Sequence, residues 1–158
     1  MITHDELLQT LNYSPSTGEF IWLKTSGNGY KGNVAGSKDS NDYVYIGING
    51  VKYLASRLAW FYVYGKWPEK TIDHRDRNPS NNKWDNLRLA EYSQNNMNRV
   101  YESRKLPKWV YKHGKKYKAQ VKIDGKAINL GSYETPEQAH EVAFKKAKEV
   151  FGEFVRCS

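Results

Sequence analysis

Residues 72–99 read Ile72-Asp73-His74-Arg-Asp-Arg-Asn-Pro-Ser-Asn-Asn-Lys-Trp-Asp-Asn86-Leu-Arg-Leu-Ala-Glu-Tyr-Ser-Gln-Asn95-Asn-Met-Asn-Arg99. A carboxylate stands beside a histidine at the end of a short apolar strand, and an asparagine-rich loop follows. Leu87 to Ala90 read as a second strand, and Tyr92 to Arg99 as a helix that starts near Glu91 or Ser93. The order is therefore strand, loop, strand, helix, with carboxamides at Asn86 and Asn95. Carboxylate and carboxamide oxygens are hard ligands suited to Mg²⁺. A neutral imidazole is the usual side chain for taking a proton from water near neutral pH. One metal, one base and a basic chain together point to phosphodiester hydrolysis.

The segment resembles the HNH nuclease motif in its Asp-His…Asn…Asn form, found in phage-encoded and homing endonucleases. The order of residues, the Asn86-Leu87-Arg88 tripeptide and the Asn95-Asn96 pair carry the resemblance. It implies Asp73 and Asn95 as ligands of one divalent ion, Mg²⁺ or Mn²⁺, and His74 as general base. Asn86 becomes a brace that hydrogen-bonds across the loop and fixes its shape. The motif, about residues 70–99, covers under a fifth of the chain. Its specificity comes from four positions agreeing in identity and spacing. An isolated Asp-His pair near a turn is more often a loop hydrogen bond. Asparagine runs usually mean turns, because Asn tolerates left-handed backbone and caps its own neighbours. On that ground Asn78, Asn81 and Asn82 are expected to be turn residues.

Composition narrows the partner. Over 158 residues the net charge is +8, which favours a polyanion. Residues 1–100 carry 12 Lys/Arg against 10 Asp/Glu, a net of +2; residues 101–158 carry 13 against 7, a net of +6. The basic excess thus lies in the last third. The single cysteine, Cys157, excludes a disulfide framework and a structural zinc held on cysteines. No apolar stretch approaches the ~18 residues of a membrane span, and no secretory signal is visible. A soluble protein is expected, in the cytoplasm of a bacterial host if it is phage-encoded.

Ahead of the motif, Thr3 to Asn12 reads as a helix. Thr3 and Glu6 form a capping box, and Leu7, Leu8 and Leu11 an apolar stripe. Tyr13 to Lys24 reads as a hairpin around Pro15–Gly18, and residues 25–42 as a loop whose Lys31 and Lys38 are able to touch phosphate. Tyr43 to Leu54 is a hairpin on Asn49-Gly50. Ala55 to Tyr64 is helical, buries Leu58, Ala59 and Tyr62, and stops at Gly65 before Pro68. A strand over 70–73 then delivers Asp73 and His74. The layout around Arg57-Leu-Ala-Trp60 loosely resembles phage HNH proteins. Arg57, Arg75 and Arg88 are candidate phosphate contacts, with a surface arginine over an aromatic as the alternative for Arg57.

A second module is expected at 108–154, after a linker at 104–107, so that the nuclease domain spans 1–103. Tyr117 to Ile123 alternates strictly, and Asp124-Gly125 is a two-residue turn. Pairing across it sets Ile123 against Lys126, Val121 against Ile128, and Ala119 against Leu130. An earlier strand, Trp109 to His113, returns through Gly114-Lys115 and sets Val110 against Ala119. The apolar residues share one face. Trp109, Tyr111, His113, Lys116, Lys118, Gln120, Lys122 and Asn129 share the other. A helix capped by Thr135, with Pro136 at its first position, carries the stripe Ala139, Val142, Ala143, Lys146, Ala147 and Val150. The expected fold class is α+β: a ββα-metal domain with leading hairpins, then a three-stranded antiparallel sheet on one helix.

This module resembles the sheet-based DNA-binding domain of plant ethylene-response factors, also found fused to phage HNH nucleases. Trp109-Val110-Tyr111, Lys116 to Ala119, Leu130 to Tyr133 and Glu137-Gln138-Ala139 carry the resemblance. It implies that the sheet lies in the major groove of duplex DNA. The family's usual arginines are mostly lysines here, which favours phosphate positioning over guanine reading. Gln120 and Asn129 are the best candidates for reading adenine. The expectation is a metal-dependent, site-specific DNA endonuclease, a monomer that nicks or a dimer induced by DNA. The alternative is a DNA-binding regulator that keeps the scaffold without cutting.

Overall fold

Helix α1 (His4–Thr10) begins where the capping box dictates: Thr3 Oγ1 accepts from the Glu6 amide and Glu6 Oε2 accepts from the Thr3 amide. The computed structural model describes residues 1–25, 27, 29–91, 94, 97 and 105–155. They fall into two compact units, Met1–Ala90 and Glu91–Ser158. The chain is a mixed α+β protein with antiparallel sheets.

In the first unit, α1 ends at Thr10 and Leu11 opens strand β1 (Leu11–Tyr13), which pairs with β2 (Phe20–Trp22). Leu7 and Leu11 are fully buried, but Leu8 is 38% exposed and leaves the expected stripe. The stretch expected to be only loop supplies β3 (Ser37–Lys38), which adds an edge to β4 (Val44–Ile48) and β5 (Val51–Leu54). Asn49 and Gly50 both have positive φ, as the two-residue hairpin turn between β4 and β5 requires. Helix α2 (Ala55–Tyr64) buries Leu58, Ala59 and Phe61, and Gly65 ends it in the left-handed conformation at φ 67°. Leu7, Phe20, Ile46, Ile48 and Leu58 fill the core that these elements share. Strands β6 (Thr71–His74) and β7 (Leu87–Ala90) form a separate two-stranded sheet.

The second unit is a three-stranded sheet of β8 (Val110–His113), β9 (Lys116–Ile123) and β10 (Lys126–Tyr133), with β9 central, and helix α3 (Pro136–Phe151). Thr135 caps α3 by accepting from the Gln138 amide. Ala139, Ala143 and Ala147 are fully buried, as are Ala119 and Val121. Alanines spaced by one turn let a helix approach a sheet closely. The stripe continues through Phe151 rather than Val150, which is exposed. Val110 meets Ala119, and Val121 meets Ile128, as the alternation predicts. Ala119 pairs with Gly131 and not Leu130, because a bulge between Asn129 and Gly131 inserts one residue. Gly131 carries φ 112° there, a conformation open to glycine.

Trp109 departs from the expected face. It was expected on the outer face with Tyr111, yet it is buried in the core of the second unit. Its φ of 66° breaks the strand alternation just before Val110. The indole therefore stacks on His140, ring centroids 6.0 Å apart, and tilts against Phe144. Its carbonyl still accepts from the Gln120 amide, so the ladder survives the turn.

Candidate active site

Strands β6 and β7 have matched lengths, and their register sets Asp73 opposite Arg88 and His74 opposite Leu87. Directly opposed residues share a face of the sheet. Arg88 Nε donates to Asp73 Oδ2 at 2.8 Å, and Arg88 Nη2 lies 2.7 Å from the same oxygen. Both side chains are buried, Asp73 at 3% exposure and Arg88 at 6%. A buried carboxylate needs such a partner, because isolated charge is strongly disfavoured away from water. The Arg88 guanidinium, expected at DNA phosphate, lies inside the unit against Asp73.

His74 is the next residue along β6 and is also buried. Its Nε2 lies 3.1 Å from Asn82 Oδ1, and the Tyr43 ring meets it edge-on, centroids 6.3 Å apart. Asn82 is itself 3% exposed, so it is more than the turn residue its neighbours suggest. Tyr13, on β1, donates its hydroxyl to the Asn82 carbonyl at 2.7 Å. Burial, and secondarily the charge of Asp85, pushes the Tyr13 phenol pKa well above its ordinary value, so the group remains a donor.

The loop between the strands is laced by Asn86. Its Nδ2 donates to Asp76 Oδ1 at 2.9 Å and to the Asn81 carbonyl at 2.7 Å, while its Oδ1 accepts from the Asp76 amide at 3.0 Å. Asn81 Nδ2 reaches Asp76 Oδ2 at 2.6 Å, and the Asn78 amide donates to Asp76 Oδ1. Burial favours the neutral form of Asp76, but hydrogen bonds from Asn81, Asn78 and Asn86 outweigh it, and the pKa lies below its ordinary value. Two other parts of the first unit grip the loop. The Trp84 amide donates to the Pro15 carbonyl at 2.9 Å, and Ser80 Oγ donates to the Asp42 carbonyl at 2.8 Å.

Of the remaining candidates, Arg57 donates to the Pro68 carbonyl at 3.2 Å and ties α2 to the approach of β6. Arg75 donates its amide to the Asn86 carbonyl and closes the loop's base. Asn95 lies outside the described residues. On the second unit, Tyr111, His113, Lys116, Lys122 and Asn129 are exposed, and Lys118 and Gln120 half-buried. Tyr111 pairs with Lys118, His113 with Lys116, and Gln120 with Asn129, so these residues lie side by side across the strands. Lys116 also meets Glu134 at 2.8 Å, and Asn129 Oδ1 accepts from the Gly131 amide at 3.2 Å.

The donor set bears on a metal. Among the described residues no group of three or more His, Cys, Asp or Glu side chains gathers. A divalent ion here would rely on Asp73 and a carboxamide. A carboxylate has about four lone-pair sites, so an ion pair through Oδ2 is chemically compatible with ligation through Oδ1. The residue types thus fit one hard cation.

Asp76, Asn82 and Tyr13 escaped the sequence reading. The pairing of Arg88 with Asp73 follows from the register that sets His74 against Leu87, and it too is absent from the sequence reading. For Tyr13 no local signal existed, since its partner is far along the chain.

Residues 53–97 match the HNH endonuclease family model. An uncharacterized HNH endonuclease of Acanthamoeba polyphaga mimivirus is 39% identical over 94 residues, 58% of this chain and 49% of the relative. The chain therefore spans about half the length of the curated relative it matches. Among solved structures, that of the HNH homing endonuclease I-HmuI, on DNA binding and cleavage, aligns with a TM-score of 0.45 and 25% identity. The alignment covers 56% of this chain and 51% of that one.

Proposed function

We propose that this chain is a metal-dependent, site-specific DNA endonuclease of the HNH type, a phage homing enzyme acting in the cytoplasm of a bacterial host. The observation that carries the reading is the adjacent Asp73 and His74 at one buried strand end, inside the segment that matches the HNH endonuclease family. His74 serves as general base toward the attacking water, a task suited to a neutral imidazole. Asp73 and Asn95 are the ligands for one divalent ion, Mg²⁺ or Mn²⁺. Such an ion, when bound, supplies Lewis acidity at the phosphate. Arg88 holds the Asp73 carboxylate in one orientation, and Asn86 keeps the loop closed beneath both.

Duplex DNA is the partner, held by the basic sheet of the second unit in the manner of the ethylene-response-factor domains. Tyr111, His113, Lys116, Lys118 and Lys122 contact the backbone. Gln120 keeps its carboxamide for a base edge. The Asn129 carboxamide oxygen already accepts from Gly131, which leaves its Nδ2 as the outward donor. With one HNH centre per chain, a monomer nicks; a double-strand cut takes a dimer on the DNA.

The test is incubation of the protein with supercoiled DNA carrying candidate target sequence, with Mg²⁺ and with EDTA, beside His74→Ala. Relaxation or linearisation that needs the metal and that the variant lacks supports the reading. A second reading, a DNA-binding regulator that does not cut, is favoured by one observation: Asp73 is buried and ion-paired. A gel shift without cleavage under every metal would select it.

A further inference from the structure

From the 75–86 loop, the Asn82 side chain bonds the His74 ring. The orientation of its amide follows from its other end. Asn82 Nδ2 lies 3.3 Å from the Ser80 carbonyl, and a carbonyl only accepts, so the nitrogen belongs there and the oxygen faces the imidazole. A carboxamide oxygen is likewise only an acceptor. The ring nitrogen 3.1 Å away must then be the donor. In a neutral imidazole, a proton on Nε2 leaves the basic lone pair on Nδ1.

The N-terminal hairpin holds the Asn82 main chain in place. The Tyr13 hydroxyl donates to the Asn82 main-chain carbonyl, and both residues are buried. At Gly18, φ is 77°, and an added Cβ would come within 2.4 Å of the Asn82 carbonyl carbon and the Lys83 nitrogen. The turn between β1 and β2 thus presses on the Asn82–Lys83 peptide with nothing but backbone. Pro15, in the same turn, takes the Trp84 amide.

We infer that Asn82 is a positioning residue for His74: it fixes the ring as the Nε2–H tautomer, with Nδ1 as the basic nitrogen, and the hairpin 11–22 clamps it. The inference rests on the reading of His74 as general base. In serine-protease triads a buried partner plays the same part, and loss of the right tautomer there costs about 10⁴ in kcat.

The experiment uses the full chain, ¹⁵N-labelled and metal-free, at pH about 8, above the ordinary imidazole pKa of ~6.5. Two-bond ¹H–¹⁵N correlations report the tautomer of His74, its signals assigned by their loss in His74→Ala. The wild type should show Nε2–H. Asn82→Ala should show a mixture and lose on the order of 100-fold in kcat with little change in KM. Asn82→Asp keeps an accepting oxygen and should keep Nε2–H; it carries the test if the alanine variant does not fold. Wild-type Nδ1–H overturns the inference, as does an Asn82→Ala protein with unchanged tautomer and kcat. Cleavage that survives His74→Ala overturns the general-base reading instead, and the wild-type spectrum tests the hold of Asn82 whether or not the protein cuts.

Discussion

Arg88 lies directly across the β6–β7 sheet from Asp73 and directs Nε and Nη2 at a single carboxylate oxygen, 2.8 and 2.7 Å away, with both side chains buried. The pair joins the residue proposed to hold the metal to the arginine of the Asn-Leu-Arg tripeptide. The guanidinium fixes the rotamer of the Asp73 carboxylate.

Arg88→Met should destabilise the first unit by about 3–5 kcal/mol, because it leaves Asp73 buried and unpaired. The double variant Asp73→Leu, Arg88→Met should recover most of that loss. Urea denaturation of the four proteins of this cycle provides the check. A single variant as stable as the wild type would show that the pair is dispensable. Equal losses for the single and double variants would show that uncompensated charge is not the cause.

His74→Ala should abolish cleavage while DNA affinity stays within about twofold. General-base loss costs roughly 10²–10⁴ in rate. Parallel nicking and gel-shift titrations separate the two effects. A variant that still nicks at the wild-type rate removes His74 from the chemistry.

Much of this arrangement was legible in the sequence because it is local. The capping box of α1, the Asn49-Gly50 and Asp124-Gly125 turns and the glycine stop after α2 each act over a few residues, and each is found as read. Two misreadings share one cause. Trp109 and Leu130 were placed by counting alternation through positions where the backbone breaks it, at a left-handed residue and at a bulge. Asn82 reads as a turn residue by composition, although its main-chain carbonyl is held by Tyr13, 69 residues away. Side chains whose partners are distant in sequence carry no local signature.

The Asp76 network gives a pH dependence. The folded pKa of Asp76 is lowered, so its contribution to stability is full above the ordinary value of 3.8 and is lost as pH falls through the lower folded value. The carboxylate is exposed, so the effect is small and screened. Denaturation midpoints at pH 5 and pH 3 should differ less for Asp76→Asn than for the wild type. Asn86→Ala, which removes both amide donors from the loop, should cost about 1–3 kcal/mol at either pH. An identical acid response for Asp76→Asn would assign the acid sensitivity to other carboxylates.

Trp109 and Tyr111 are two residues apart and should fail in different ways. Trp109→Ala opens the core beside His140 and Phe144 and should cost about 3–5 kcal/mol of stability in the second unit. Tyr111→Ala, on the exposed face, should leave stability within about 0.5 kcal/mol and weaken DNA binding. Thermal melts with fluorescence anisotropy on labelled duplex distinguish them. Weakened binding with an unchanged melt for Trp109→Ala would put the indole at the DNA surface after all.

The proposed DNA face carries its own salt dependence. Lys118 and Lys122 stand on β9 two pairing positions either side of Gln120, opposite Ser132 and Ala127. Each Lys–phosphate contact releases condensed counterions, so the slope of log K against log salt should fall by about 0.9 per lysine removed. Lys118→Gln with Lys122→Gln should therefore flatten the slope by nearly two units and weaken binding at low salt on every sequence alike. Gln120→Ala should instead leave the slope unchanged and cost about 1–3 kcal/mol on the target sequence alone. The measurement is anisotropy across a salt series on target and random duplexes. A slope that does not respond to the lysine pair would show that this sheet does not face DNA, and the search for the binding surface would move to the first unit.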